Sequence, residues 1–113
     1  EGTMGGMWEF PGGKQEMNES IETTIIRELR EELAIEVNVG PLLISLDHSY
    51  SHKRFRFFAH LCNLRSGVPQ ALASQEVRWI NPDQLSDFAF PAANAKIITA
   101  LMAHLKLEKL SNN

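Results

Sequence analysis

A stripe of aliphatic residues between positions 21 and 33 constrains this chain most, because its period fits only an α-helix. Ile21, Ile25, Leu29 and Leu33 recur at four-residue steps, and residues so spaced lie on one face of a helix. Ser20 stands where an N-cap residue is needed. We therefore predict a helix from about Ile21 to Leu33 that buries this stripe against a core.

After this helix the hydrophobic period changes from about four residues to two, which indicates β-strands. Apolar and polar residues alternate from Ile35 to Val39, and Gly40-Pro41 interrupts this alternation. A separate strand is predicted for Leu42 to His48. The segment Phe55 to Cys62 is apolar on both faces, as in a covered central strand. A further short strand is expected over Val77 to Ile80.

A second amphipathic helix is predicted near the end of the chain, with Asn94 as its N-cap. Strands placed between two helices predict an α/β (α+β) fold, in which a mixed β-sheet is sandwiched between helices. The length of 113 residues suits one domain spanning 1–113. The apolar positions of the second helix are Ile97, Ile98, Leu101, Met102 and Leu105.

Composition disfavours several other classes of protein. Hydrophobic residues make up 43% of the chain and charged residues 22%, which disfavours disorder. The formal net charge of -3 offers no general electrostatic reason to expect a nucleic-acid polymer as partner. No apolar run approaches the ~20 residues that span a bilayer, so no membrane partner is expected. A single cysteine, Cys62, forms no internal disulfide, which fits the cytoplasm.

Three glutamates share one face of the predicted first helix. Glu28, Glu31 and Glu32 occupy positions i, i+3 and i+4, which places their Cβ atoms about 5–6 Å apart. Like charges in this arrangement repel one another, and a divalent cation would turn that repulsion into attraction. The cluster alone leaves a second interpretation open, a solvated charged face that Arg27 and Arg30 partly neutralise.

The segment from Gly13 to Ile35 resembles the Nudix box, G-x5-E-x7-R-E-U-x-E-E-x-G-U, where U is a bulky aliphatic residue. From average residue usage, a chance match is roughly one in 10^8 per starting point. Ala34 is the single departure, since the family has Gly there, just past the helix end, where a left-handed residue is often wanted. We expect Ala34 to cost on the order of 1 kcal/mol of stability and to leave activity intact. The matching positions are Gly13, Glu19, Arg27, Glu28, Leu29, Glu31, Glu32 and Ile35.

This resemblance implies a metal-dependent hydrolase of nucleoside diphosphate derivatives. Boxes of this family bind divalent cations, so Mg²⁺ is the expected cofactor, and Mn²⁺ could substitute for it. By the same analogy the backbone carbonyl of Gly12 would face the metal. The residues that the resemblance assigns to the metal site and to catalysis are Glu28, Glu31 and Glu32 in the box, and Glu76 in a later loop.

Two further residues of the box are implied to be structural. Glu19 would pair with Arg27 and hold the loop onto the helix. Nudix domains usually place one or two strands before this loop, and here only Glu1 to Gly12 precede it. We therefore expect a Nudix-like fold that lacks its N-terminal strands, as a piece of a longer domain. A sheet with an unpaired edge favours weak stability or a strand-exchanged dimer.

The string WEFPGGK, from Trp8 to Lys14, resembles the MutT-type branch, which cleaves nucleoside triphosphates to monophosphate and pyrophosphate. This implies sanitising of oxidised purine nucleotides, 8-oxo-dGTP first, in the service of DNA replication and repair. In such enzymes the Asn matching Asn94 bonds the base edge, and a side-chain amide supplies both donors and an acceptor. Phe10 would pack against the base, and Gly13 and Lys14 would lie at the phosphates.

Three alternatives stay open. One is a hydrolase of cytosine nucleotides, although such relatives tend to carry Asp at the position of Asn94. Another is cleavage of dinucleoside polyphosphates, for which Tyr50 is the weak signal. The third is a non-catalytic module that senses oxoguanine in DNA, like the C-terminal domain of adenine glycosylases. Such modules usually lack an intact box, although a local basic patch lies at Lys53, Arg54 and Arg56.

Overall fold

A computed structural model describes residues 2–3 and 6–111. The described strands form two sheets of two antiparallel strands each, β1 with β2 and β3 with β4. The predicted combination of helices and sheet is confirmed, while the parallel pairing of a mixed sheet does not occur within the described residues. The elements in chain order are β1 (Gly2–Thr3), β2 (Met7–Trp8), α1 (Ile21–Leu33), β3 (Glu36–Tyr50), β4 (Lys53–Ser66), a 3₁₀-helix (Pro82–Asp87) and α2 (Ala92–Ser111).

Helix α1 has the bounds that its apolar stripe predicts. At its start the Ser20 Oγ accepts the N–H of Thr23 at 3.0 Å, which satisfies one of the unpaired donors of the first turn. At its end Ala34 adopts the left-handed conformation, with φ 58° and ψ 38°, and its N–H donates to the Arg30 carbonyl at 3.0 Å. The predicted left-handed position is thus confirmed, and an alanine occupies it.

The buried core lies where α1 meets the beginning of β3. Its four residues are Leu29, Leu33, Ile35 and Val37, each at most 7% exposed. Val77, from the loop after β4, packs against them together with Ile25 and Ile26. Burial of one such side chain contributes about 1.5–3 kcal/mol. This cluster therefore fixes α1, and with it the acidic face, relative to β3.

The predicted break at Gly40-Pro41 is wrong, because β3 runs through it as one strand. The pairing register with β4 shifts between Val39 and Leu42 and again between Leu42 and Ile44. Such irregularities absorb residues that cannot join a regular ladder, and Pro41 has no N–H to donate. The chain therefore stays in the sheet through Gly40-Pro41, and only its pairing with β4 is irregular there.

Two other strand predictions are wrong in detail. The segment Phe55 to Cys62 belongs to β4, but Phe57 and Phe58 are 43% and 38% exposed, so it is not covered on both faces within the described residues. Val77 to Ile80 forms no described strand. In this segment Val77 is packed on the core and Trp79 is 72% exposed, so its apolar residues reflect local burial of Val77 without strand pairing.

Helix α2 begins at Ala92, so Asn94 is inside its first turn and the predicted N-cap role is wrong. The Asn94 N–H donates to the Pro91 carbonyl at 2.9 Å. No helix in residues 2–3 and 6–111 combines the length and the apolar character needed to cross a membrane. The expected absence of front strands and the strand-exchanged dimer stay predictions.

Candidate active site

The side chain of Arg27 joins the loop before α1 to the acidic face of that helix. Its Nε and Nη2 donate to the two carboxylate oxygens of Glu19 at 2.5 and 3.0 Å, and Nη2 also donates to the Lys14 carbonyl at 3.0 Å. Its Nη1 donates to Glu28 at 2.8 Å and to Glu31 at 3.3 Å. One guanidinium thus contacts both the loop and two of the three predicted metal-site glutamates.

Glu19 is the most strongly stabilised carboxylate of the loop. Besides Arg27, the Glu16 N–H donates to its Oε1 at 2.9 Å, and the Thr24 hydroxyl does so at 2.8 Å. The Arg27 hydrogen bonds, followed by that of Glu16, lower the pKa of Glu19 from 4.5 to about 2. The same pairing raises the pKa of Arg27. Both groups therefore stay charged at neutral pH.

The glycine pair at the start of the box, Gly12 and Gly13, contacts the acidic face directly. The Gly12 N–H donates to Glu32 Oε1 at 3.1 Å. A Cβ atom on Gly13 would lie 2.1 Å from Glu28 Cδ, so any other residue would force the loop or the carboxylate to move. Glycine at position 13 therefore permits the close approach of loop backbone and carboxylate.

The donor chemistry of this face suits a hard divalent cation. Glu28, Glu31 and Glu32 supply carboxylate oxygens within about one turn of helix, and such oxygens are the ligands that Mg²⁺ prefers. In residues 2–3 and 6–111, no three His, Cys, Asp or Glu side chains already form a group able to hold a metal ion. Contacts to Arg27 and to the Gly12 N–H engage these carboxylates. The residue types therefore fit the cation, and metal ligation would require side-chain adjustment.

Glu76 lies in the loop after β4, next to Val77, which packs on the α1–β3 core. Its Oε2 accepts from Arg78 Nε at 2.6 Å, and the Arg78 guanidinium lies 5.5 Å from the Trp8 ring centroid and 5.9 Å from that of Phe88. Among the described residues Glu76 joins no metal-binding group with the α1 glutamates. Its assignment to the metal site stays a prediction.

The residues predicted to bind the nucleoside lie on neighbouring segments. The rings of Phe10 and Phe90 stack, with centroids 5.2 Å apart and planes 18° apart. The Trp8 N–H donates to the Ala89 carbonyl at 2.7 Å, which ties the two segments together. Asn94 is half-buried in the first turn of α2, and the Lys14 side chain is exposed.

Comparison with known proteins identifies the family. A model of the NUDIX domain matches residues 1–100. The chain belongs to the Nudix family of hydrolases. It is 35% identical over 98 residues to the CTP pyrophosphohydrolase of Escherichia coli (strain K12), which covers 87% of this chain and 73% of that protein. It is 37% identical over 94 residues to the 8-oxo-dGTP diphosphatase of Haemophilus influenzae, and this match covers 83% of this chain and 69% of that protein.

Solved structures place the chain in the same fold. The solution structure of the Escherichia coli ORF135 protein superimposes with a TM-score of 0.79 at 34% identity, covering 86% of this chain and 69% of that one. The MutT Nudix hydrolase of Staphylococcus aureus matches with a TM-score of 0.70 at 31% identity, and this match covers 87% of this chain and 75% of that one. The expected Nudix-like fold is confirmed.

Several contacts that support the Nudix box were not predicted from the sequence. Thr24, 5% exposed, donates its hydroxyl to Glu19 and also contacts the Ser20 carbonyl; a Thr one turn after an N-cap was the available signal. The N–H groups of Gln70 and Leu72, from the loop after β4, donate to carbonyls in the last turn of α1 at 2.9 and 3.1 Å. No sequence signal identified these loop residues.

Proposed function

We propose that this Nudix hydrolase converts nucleoside triphosphates with an oxidised purine base, 8-oxo-dGTP first, to the monophosphate and pyrophosphate. The contact of the Gly12-Gly13 loop with Glu28 and Glu32 carries the proposal, because it juxtaposes a glycine backbone with a carboxylate face, the combination suited to a polyphosphate and its counter-cation. A relative named 8-oxo-dGTP diphosphatase, 37% identical over 83% of the chain, supports the choice of substrate.

Glu28, Glu31 and Glu32 are the residues that would hold Mg²⁺ or Mn²⁺, with the Gly12 carbonyl beside them. A divalent cation bound there would neutralise phosphate charge and polarise the phosphoryl group. The three carboxylates by themselves would repel the polyphosphate, since all of these groups are negative. The acidic face therefore makes catalysis dependent on a counter-cation, and removal of metal with a chelator should abolish turnover.

The chain's own groups would bind the substrate and move one proton. The oxygen of a water molecule attacks phosphorus, the bridging P–O bond to pyrophosphate breaks, and a carboxylate of the acidic face accepts the proton of the water. The Lys14 ammonium group, which is exposed, would contact the phosphate chain. Glu76, held by Arg78, would add a fourth carboxylate from the loop.

The base would lie near Phe10 and Asn94. The aromatic pair of Phe10 and Phe90 offers a flat apolar surface, and the Asn94 amide offers donors and an acceptor to the mixed edge of an oxidised guanine. We expect Asn94→Ala to lower kcat/KM for 8-oxo-dGTP more than for unmodified dGTP.

A second candidate substrate class is the cytosine nucleotides. The CTP pyrophosphohydrolase relative, 35% identical over 87% of this chain, favours it. Turnover of 8-oxo-dGTP, dCTP, CTP and a dinucleoside tetraphosphate under equal conditions ranks the candidates. Faster cleavage of dCTP or CTP would replace the first choice. The dinucleoside alternative depends on Tyr50, whose side chain lies outside the described residues.

The decisive experiment is pyrophosphate release with Mg²⁺ by wild type, Glu32→Gln and Glu22→Gln. Glu32→Gln removes a charge from the acidic face, and we expect kcat to fall about 10²–10³-fold. Glu22 is an exposed residue of the first turn of the same helix, so Glu22→Gln should retain wild-type kcat. Release that Glu32→Gln leaves unchanged would overturn the role assigned to the acidic face, and no release by folded wild type with Mg²⁺ would favour the non-catalytic module that senses oxoguanine.

A further inference from the structure

Arg27 uses two edges of one guanidinium for two different groups of carboxylates. The edge formed by Nε and Nη2 holds Glu19 with two hydrogen bonds. Nη1 alone faces the acidic surface and contacts one oxygen each of Glu28 and Glu31. A guanidinium is planar and keeps these donors in fixed relative directions. Fixing one edge on Glu19 therefore fixes the position of Nη1 between the other two glutamates.

The two edges differ in how firmly their partners are held. The Glu19 side chain is 12% exposed, and the bidentate pair has the geometry of a strong charge-assisted bond. The Glu31 side chain is 60% exposed and its contact with Nη1 is the longest of the Arg27 hydrogen bonds, at 3.3 Å. The Nη1 contact with Glu28 is shorter, at 2.8 Å, and the Glu28 side chain is 16% exposed. A competing cation would therefore draw Glu31 away from Nη1 more easily than Glu28, and the Glu19 edge would stay in place.

We propose that Arg27 is a built-in competitor for the divalent cation: Nη1 binds Glu28 and Glu31, and the affinity of these carboxylates for metal is lowered by the need to break their contacts with Nη1. This inference rests on the proposed function, in which these glutamates hold the cation. It assigns to Arg27 a tuning role beyond the pairing with Glu19. Arg27 is thus a positioning residue whose Nη1 contacts weaken metal binding while holding the two carboxylates close together.

The test compares Mn²⁺ binding to wild type, Arg27→Lys and Arg30→Lys, measured from the free Mn²⁺ signal in electron paramagnetic resonance titrations. Lysine keeps the charge but is a point donor that cannot contact Glu19 and both other glutamates through a rigid fork. We expect Arg27→Lys to bind Mn²⁺ about fivefold more tightly, because Glu28 and Glu31 lose the fixed Nη1 donor that they contact in wild type.

Arg30→Lys is the matched control. Arg30 lies on the same helix and pairs with Glu36 through Nε and Nη2 at 2.6 and 2.8 Å, away from the acidic face. Its substitution should leave Mn²⁺ affinity within twofold of wild type. Unchanged or weaker Mn²⁺ binding by a folded Arg27→Lys variant would overturn the proposal, because Arg27 would then not compete.

Nuclear magnetic resonance on the wild-type chain tests the same inference without any substitution. Saturating Mg²⁺ should shift and broaden the Arg27 Nη signals while the Nε–H signal, held by Glu19, persists. Glutamate carboxyl carbons that respond to Mg²⁺ while the Nη signals stay unchanged would refute competition. A chain in which neither carboxyl nor Nη signals respond would refute the metal site of the proposed function as well, so the two failures are distinguishable.

Discussion

Helices α1 and α2 are both predicted to be amphipathic; this is confirmed for α1 and wrong for α2, whose apolar residues are spread around the helix and not gathered on one face. Helix α1 buries Thr24, Leu29 and Leu33 within 13 residues, whereas α2, with 20 residues from Ala92 to Ser111, buries none of its residues. Leu107 and Leu110 of α2 are 65% and 64% exposed. Apolar content therefore does not decide which helix anchors the fold.

The difference is that polar contacts at both ends and along one face hold α1 in place. Ser20 caps its start, Ala34 closes its end, and Arg27 ties its acidic face to the preceding loop. Functional side chains need a support that keeps them within a narrow range of positions. The more firmly held helix is the one that carries the proposed metal-site glutamates, as this requirement predicts.

The largest difference in stability between the two helices is expected when a buried residue of α1 is truncated. Leu29 is 7% exposed, so Leu29→Ala should lower the free energy of unfolding by about 2–5 kcal/mol. Leu107→Ala is the matched change in α2 and should stay within about 0.5 kcal/mol of wild type. Urea unfolding followed by circular dichroism measures both, and equal losses would show that α2 is as tightly packed as α1.

A smaller effect is expected from Glu19→Gln, and it depends on pH. The pKa of Glu19 is lowered from 4.5 to about 2 in the folded chain, so the stabilisation by its charge is present above about pH 4.5 and is lost as pH falls toward 2. The melting temperature of wild type should therefore fall more steeply in this window than that of Glu19→Gln.

Glu22→Gln is the control variant for the pH test, because Glu22 lies in the first turn of the same helix. This variant should follow the wild-type profile. Parallel melting curves for wild type and Glu19→Gln from pH 4.5 to 2 would mean that the pairing with Arg27 contributes nothing to acid stability.

The smallest effect is expected from Ala34→Gly at the end of α1. Ala34 has φ 58°, a conformation that costs an alanine about 1 kcal/mol and glycine almost nothing. The substitution should raise stability by up to about that amount, and kcat should stay unchanged. Ala103→Gly, inside α2, should instead lower stability by roughly 0.5–1 kcal/mol. The same substitution should therefore change stability in opposite directions at the two positions. A loss of stability in Ala34→Gly would contradict the assigned strain.

Local signals predicted α1 well because every one of them acts within a few residues. The stripe from Ile21 to Leu33, the Ser20 cap and the left-handed Ala34 each depend on neighbours in sequence. The box pattern likewise predicted the family. Local rules failed where distant segments decide the outcome, as at Pro41, where pairing with β4 keeps the strand continuous.

The candidate site was predictable in its residue types but not in its contacts. The spacing of the glutamates placed them on one face, while the engagement of Glu28 and Glu31 by Arg27 depends on side-chain positions that spacing does not define. The pairing of Glu76 with Arg78 is of the same kind. The hydrogen bonds of Gln70 and Leu72 to the end of α1 depend on the path of the whole hairpin, so local sequence signals could not predict them.

The hydrogen bond from the Leu72 N–H to the Glu32 carbonyl has a consequence for the order of folding. It joins positions about forty residues apart, and a closure of that span carries an entropic cost that short-range contacts avoid. Helix α1 can form early on its own caps, but the Glu32 and Leu33 carbonyls of its final turn gain their loop partners only after the hairpin has formed and the chain has returned. The turn that carries the last glutamate of the box is therefore completed by contacts that form later than the local caps of the same helix.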